Sequence, residues 1–218
     1  MNQRIRADLH LHTCYSMDCA MPLEQIIDRC LKVGINCLAI TDHNTIEGAL
    51  HMREIAPFKV IVGEEILTSG GELIGLFLSH HIPSGLSLEE TISRIKSQGG
   101  LVCIPHPYDT VRLSASRDSL FESLMPQVDI VEVFNARSLS PTSTDKAWQL
   151  AHKYGKLASA GSDAHSPQEI GNAYIEMPDF NDKEGFIASL EQGKISGNRS
   201  SPIVHFHSTW ARLKKQLF

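Results

Sequence analysis

Residues 36–55, NCLAITDHNTIEGALHMREI, contain the unit from which the rest of the chain can be read. The run Cys37-Leu38-Ala39-Ile40 is apolar throughout, as expected of a strand covered on both faces rather than one with a wet side. It breaks off into Thr41-Asp42-His43-Asn44, four polar residues that do little to stabilise a core. Helical spacing follows over 45–55. The segment therefore predicts a strand at 36–42, a cluster of ionisable groups at its C-terminal end, and a helix that returns the chain.

Moving outward, the same alternation recurs. Further strands are predicted at 6–12, 59–67, 72–78, 100–106, 128–134 and 157–162, with a short one near 173–177, and further helices at 22–33, 88–98, 142–154 and 183–192. In the first helix, Leu23, Ile26, Ile27, Cys30 and Leu31 share one face, and Gly34 ends it. Ser87 and Glu90 form a capping-box pattern, and Gly99-Gly100 stops that helix. Strand–helix alternation predicts parallel βαβ units and an α/β fold. The stretch 59–78 departs from this, because two strand-like runs flank Thr68-Ser69-Gly70-Gly71 and predict a hairpin. The tail HSTWARLKKQLF (207–218) has the pattern of a short amphipathic helix.

Nearly every predicted strand ends in ionisable residues. In Asp8-Leu9-His10-Leu11-His12-Thr13, strand alternation puts His10 and His12 on one face, with Asp8 sharing their parity as a group that can orient a ligand. Glu64-Glu65 follow Val60-Ile61-Val62. His106 stands between Pro105 and Pro107, which restrict its backbone. Asp163 and His165 have the same i, i+2 spacing. Parallel α/β barrels carry their catalytic groups at the C-terminal ends of strands, so these residues are expected on one rim. Imidazoles mixed with carboxylates suit zinc, manganese or iron better than magnesium or calcium. There are too many ligands for one tetrahedral ion, so two to three divalent metals are expected. Such multinuclear sites activate water and clamp the oxygens of a phosphoryl group in flight.

Bulk properties bound the remaining classes. At 218 residues the chain is expected to be a single domain, 1–218, able to bury its own core. A formal net charge of -5 supplies no general field for nucleic acid. Five cysteines, an odd number without a C-x-x-C pair, point to free thiols rather than a disulfide framework or a thiolate zinc site. No secretory h-region and no run of membrane-spanning length is present, so the expected location is the cytoplasm with no membrane partner.

As a set, DLHLHT (8–13), TDHN (41–44), GEE (63–65), IPHP (104–107), EVFN (132–135) and GSDAH (161–165) resemble the PHP family, named for polymerase and histidinol phosphatase domains. The blocks occur in the family's order. The resemblance implies a distorted (β/α)7 barrel with up to three metals at one end. It implies His10, His12 and Asp163 as ligands of a first metal, Glu65 as a bridging carboxylate, His106 at a second metal, and His43 and His165 at a third. The family also uses a His or Asp about six residues after the H-x-H pair, which falls on Asp18. Many relatives place a second-metal histidine in a strand after the glutamate block; aligned on its glycine, this chain has Glu72 there.

The function expected is metal-dependent hydrolysis of a phosphoester, with a small phosphorylated substrate or a nucleotide or oligonucleotide end as partner. His10, His12, Asp163 and His165 are the candidate catalytic set, the last two also able to relay a proton. Arginine is the natural clamp for outer phosphate oxygens; Arg137 and Arg199 are the preferred pair, with Arg112 and Arg117 as further candidates. The alternatives are a nuclease acting on RNA or DNA ends, for which a basic, aromatic track is lacking, and a non-catalytic metal-binding regulatory domain. His51 and His152 read as surface or half-buried helix residues, His80 and His81 as groups lining the pocket, and His205-x-His207 as a chelating spacing without an acid partner.

Overall fold

The computed structural model describes residues 4–108 and 123–201. Along the chain run β1 (Arg4–Leu11), α1 (Leu23–Val33), β2 (Cys37–Ile40), α2 (Glu47–Ile55), β3 (Lys59–Thr68), β4 (Gly71–Leu76), α3 (Leu88–Ser97), β5 (Leu101–Ile104), β6 (Ile130–Asn135), α4 (Pro141–Lys153), β7 (Leu157–Gly161), β8 (Ala173–Pro178), α5 (Lys183–Leu190) and β9 (Lys194–Gly197). The eight strands and five helices expected within these residues are present, and β9 is added to them. Arg112, Arg117, His205-x-His207 and the amphipathic tail lie outside the described residues.

One mixed sheet runs in the order β7-β6-β5-β4-β3-β2-β1-β8-β9. From β1 to β7 it curls until its ends nearly meet. Leu11 bridges Ala164, Asp163 N donates to His10 O at 2.8 Å, and His12 N donates to Ala164 O at 3.2 Å. The barrel therefore closes only at its C-terminal rim, because the first half of β1 is occupied on that side by antiparallel β8, with Arg4–Ala7 opposite Ile175–Pro178. The seven-stranded barrel expected from the sequence is the curled part of this nine-stranded sheet. It is distorted further by β4, which runs antiparallel to both neighbours and forms the anticipated hairpin with β3, Thr68 opposite Gly71.

Two apolar layers hold the barrel. Inside it, Ala7, Leu9, Ala39, Ile61, Ile74 and Ile130 pack together with Phe180 and Phe186 from the α5 region. Outside it, Leu38, Ile40, Val62, Val102 and Val131 pack against Ile26, Met52, Ile92 and Leu150 of the helices. This double covering is why β2 and β5 read as unbroken apolar runs. The helix signals act as expected. Gly34 takes a left-handed φ of 77° after α1, and Ser87 Oγ accepts from Glu90 N at 3.1 Å. The capping box is only half made, since the Glu90 carboxylate turns to Arg94 at 2.8 Å. No helix among the described residues is long and apolar enough to cross a membrane.

Candidate metal centre

The rim of the barrel is assembled by a local irregularity in β1. Asp8 pairs with Leu38 and Leu11 with Ile40, so Leu9 and His10 together oppose the single residue Ala39. A bulge of this kind re-aims the side chains that follow it. Ala7 and Leu9 point into the barrel and Leu11 into the outer layer. The bulge corrects the parity expected for Asp8: it does not share a face with His10. Its carboxylate instead accepts from Ser162 N at 2.9 Å and from Ser162 Oγ, fastening β1 to β7. Burial pushes the Asp8 carboxyl up to about 7, against the lowering effect of the Ser162 bonds.

Past the bulge, His10 and His12 turn inward. His10 Nε2 stands 3.2 Å from His12 Nε2, 3.3 Å from Glu65 Oε2 and 3.7 Å from Asp163 Oδ1. His12 Nε2 stands 3.4 Å from Glu65 Oε2 and 3.3 Å from Asp163 Oδ1. Donor atoms on a tetrahedral ion at zinc–nitrogen and zinc–oxygen bond lengths lie about 3.4 Å apart. These five distances are close to that spacing, and they join His10 and His12 both to Asp163 after β7 and to Glu65 of β3.

Glu65 carries the arrangement onward. Its Oε2 also lies 3.3 Å from His43 Nδ1, and its Oε1 lies 3.1 Å from His106 Nε2, so one carboxylate addresses both sides of the cluster. Asp18 Oδ2 joins His165 Nε2 at 3.0 Å and His43 Nε2 at 3.4 Å. Ser16 ties that corner together, donating to Asp18 Oδ1 at 2.8 Å and accepting from His43 N at 3.3 Å. Glu72, at the start of antiparallel β4, comes to 4.0 Å from His106 Nε2. Four sets have donor atoms close enough to share an ion: His10–His12–Asp163, His12–Asp18–His43–His165, His43–Glu65–Glu72 and His10–His106–Glu132. All nine residues put forward as ligands from the sequence are thus brought into one cluster.

The electrostatics of the bare side chains call for positive charge at the centre. Burial lowers the pKa of His10, but Glu132, Glu65 and Asp163 outweigh it and hold the ring well above the usual histidine range. His12, also opposed by burial, is pushed up to about 10 by Asp163 and Glu65. Glu65 is held well below the carboxylate range, despite its burial, by His10 and His43. Asp18 is lowered likewise by His165 and His43. The His165 ring, unlike those of His10 and His12, is lowered, to about 4, through burial and the neighbouring His12. Protons on imidazoles here neutralise buried carboxylates; divalent cations among the same lone pairs would do so with better geometry. The donor set therefore fits metal.

Backbone conformation at the rim is also unusual. Asn44, His106 and Asp163 have φ values of 55°, 27° and 52°, three of the four positive-φ non-glycine residues among those described. Such conformations persist where surrounding structure over-determines them, and they gather at functional sites.

A model of the PHP domain family matches residues 8–162, more than half of the chain. The chain belongs to the PHP family. A PHP-associated model matches residues 141–195. Two uncharacterized proteins of Methanocaldococcus jannaschii are similar to it. MJ0417 is 38% identical over 181 residues, covering 81% of this chain and 72% of its own length, and MJ1587 is 43% identical over 145 residues, covering 61% and 82%. Among solved structures, a two-domain protein from Bacteroides vulgatus containing a predicted PHP-like metal-dependent phosphoesterase superposes with a TM-score of 0.71 at 17% identity, over 90% of this chain. This chain spans 66% of that protein's length. PsfC from Pseudomonas syringae superposes with a TM-score of 0.70 at 18% identity, over 98% of this chain and 99% of its own. At these identities the structural likeness speaks for the fold.

Several PHP-site residues escape a reading of the sequence. Glu132 belongs to the EVFN block, and nothing in the block itself marks it as part of the site. Its Oε1 accepts from His10 Nδ1 at 3.0 Å, and its Oε2 accepts from His106 N at 2.8 Å and from Asn135 Nδ2 at 3.1 Å. It thereby fixes which nitrogen of His10 faces the centre, the usual task of a carboxylate behind a metal-binding histidine. Its parity with the inward Ile130 is the signal that would have found it. Asp42 binds Thr13 N and Oγ1, both at 2.6 Å, and so fastens the loop after β1 to the end of β2.

The two arginines are placed differently from a phosphate clamp open to solvent. Arg137 is buried behind the cluster, where it touches His165 Nδ1 and faces Glu169. Arg199 Nη2 donates to Ser140 O at 3.1 Å and to Thr144 Oγ1 at 2.9 Å, at the start of α4. His81 does not face the cluster. It pairs at 2.7 Å with Glu64, on the opposite face of β3 from Glu65. His51 Nδ1 meets Tyr15 Oη at 3.0 Å, and His80 and His152 are exposed.

Proposed function

We propose that this PHP chain is a hydrolase of phosphoesters, acting on a small phosphorylated molecule or a nucleotide end with two to three zinc, manganese or iron ions held at the rim of its barrel. The observation that carries this reading is the close approach of the His10 and His12 donor atoms to Asp163 on one side and Glu65 on the other, continued by Glu65 to His106 and His43. When bound, the ions supply the charge that activates water and neutralises the non-bridging oxygens of the phosphate. The side chains do the rest. Glu65 would offer Oε2 on the His12 and His43 side and Oε1 on the His106 side. Glu132 keeps the His10 Nε2 lone pair turned inward. Asn135 Nδ2, 3.3 Å from Asp163 Oδ2, leaves Oδ1 for the centre. Asp163 and His165 are the carboxylate and imidazole that can pass a proton to a leaving oxygen.

The test joins elemental analysis to p-nitrophenyl phosphate hydrolysis on the same preparation, with the double variant His10→Ala/His12→Ala beside it. Wild-type protein is expected to carry two to three transition-metal ions and to cleave the ester, and the variant to lose both. Nucleotides and short oligonucleotides are the substrates to try next. Metal-loaded protein that leaves every such ester intact would refute the proposal, as would wild-type protein that takes up no ion.

A further inference from the structure

Behind the metal centre two charged side chains are buried: Arg137 and Glu169, 2% and 1% exposed. Arg137 Nε stands 3.5 Å from Glu169 Oε1. Glu169 Oε2 accepts from His165 N at 3.1 Å and from Ser166 Oγ at 2.9 Å. Arg137 Nη1 donates to Asp163 O at 3.5 Å and lies against His165 Nδ1. Arg137 N is itself held by Asn135 Oδ1 at 2.9 Å, and Asn135 reaches Asp163 from its other end. The pair therefore grips both ends of the segment Asp163-Ala164-His165.

That segment has reason to need a grip. Asp163 is in the left-handed region, at φ 52°, a conformation that does not hold itself for a residue with a side chain. Yet this one segment supplies Asp163 to the His10–His12–Asp163 group and His165 to the His12–Asp18–His43–His165 group. A buried ion pair is a weak source of stability beside apolar residues of similar volume. Stability alone does not account for two charges at this place, whereas fixing three residues that serve two metal positions does.

We propose that Arg137 and Glu169 are positioning residues that set the Asp163–His165 segment for metal binding, most directly at the His12–Asp18–His43–His165 group. The proposal rests on the metal-centre reading above. It takes Arg137 out of the contact with substrate expected from the sequence.

The test separates positioning from stability by removing both charges together. The double variant Arg137→Met/Glu169→Leu keeps the volume buried, and it is expected to unfold cooperatively at the wild-type temperature or above. Titration of the metal-free proteins with zinc or manganese is expected to show its weakest-bound ion held about 10- to 100-fold less tightly than in wild type. Glu169→Gln, whose amide oxygen still accepts from His165 N, is expected to stay closer to wild type than Glu169→Ala. A folded double variant with wild-type stoichiometry and affinities overturns the proposal. So does a double variant that fails to fold, which would assign the pair to stability. Wild-type protein that binds no ion refutes the metal reading itself, and is recognised before any variant is made.

Discussion

Gly161 is the residue on which closure of the barrel rests, and replacing it with alanine should damage fold and site together. A Cβ at this position would lie 2.2 Å from His10 Cβ, 2.7 Å from His10 N and 2.9 Å from His10 Cα. Two of these atoms are backbone, and that backbone is tied to the next turn of chain by Asp163 N to His10 O and His12 N to Ala164 O. Carbon atoms settle at about 3.5–4.0 Å from one another, so β1 and β7 would have to part by about 1.3–1.8 Å at this point. Overpacking a core ordinarily costs about 1–3 kcal/mol. With backbone as the obstacle, Gly161→Ala falls at the upper end, about 3 kcal/mol. For a chain of this size that corresponds to a fall in Tm of about 6–12 °C. The same displacement carries His10 and His12 away from Asp163 by far more than the roughly 0.2 Å that metal–ligand distances tolerate. Thermal unfolding by circular dichroism, with elemental analysis of the same sample, reads both effects. A variant within 2 °C of wild type that keeps its full complement of metal would show that β1 and β7 are not in the contact on which this prediction depends.

Two further perturbations test other parts of the structure. Ser87→Ala removes the oxygen that caps α3 and is expected to cost about 1 kcal/mol in urea unfolding without changing metal content; an unchanged midpoint would mean that the cap is not made. In chelator, the raised pKa of His12 has a definite sign: the protonated ring stabilises the folded state fully below its unfolded value near 6.5, and the contribution is lost as pH rises toward about 10. The Tm of metal-free protein should therefore fall across that window. Metal-loaded protein should not follow it, since ions bind the deprotonated ring. A Tm that rises between pH 7 and pH 10 in chelator would contradict the charge pattern described for the cluster.

How much of this was legible in the sequence differs from element to element, for physical reasons. The doubly covered strands stand out because nothing polar interrupts them, and the ligand blocks stand out because such residues at strand ends have little other use. β9, Lys194-Ile195-Ser196-Gly197, has no buried residue and no apolar run to betray it. Asp8 lies off the face that strand alternation predicts for it because alternation assumes an unbroken ladder, and a bulge is invisible in composition. Arg137 reads as a clamp because arginine suits the outer oxygens of a phosphate; its burial beside Glu169, which comes from a different loop, shows only in the folded chain. Glu72 reaches the edge of the cluster from the position that the family resemblance, aligned on the glycine of β4, points to.

The bridge between Leu11 and Ala164 also dates the site within the life of each molecule. β1 contributes His10 and leads into His12, and the last strand of the curled sheet leads into Asp163 and His165. Most of the barrel can form while the chain is still growing, from neighbours close in sequence. The centre cannot, because its two halves come from opposite ends of the PHP match and must wait for a closure that spans nearly all of it. A growing chain that stops short of Gly161 has most of the ligands and no ring to hold them in. On the metal reading proposed above, competence to bind an ion would be acquired late and nearly all at once, and an ion reaching the finished rim would act as the latch on a hoop that the chain has only just brought round.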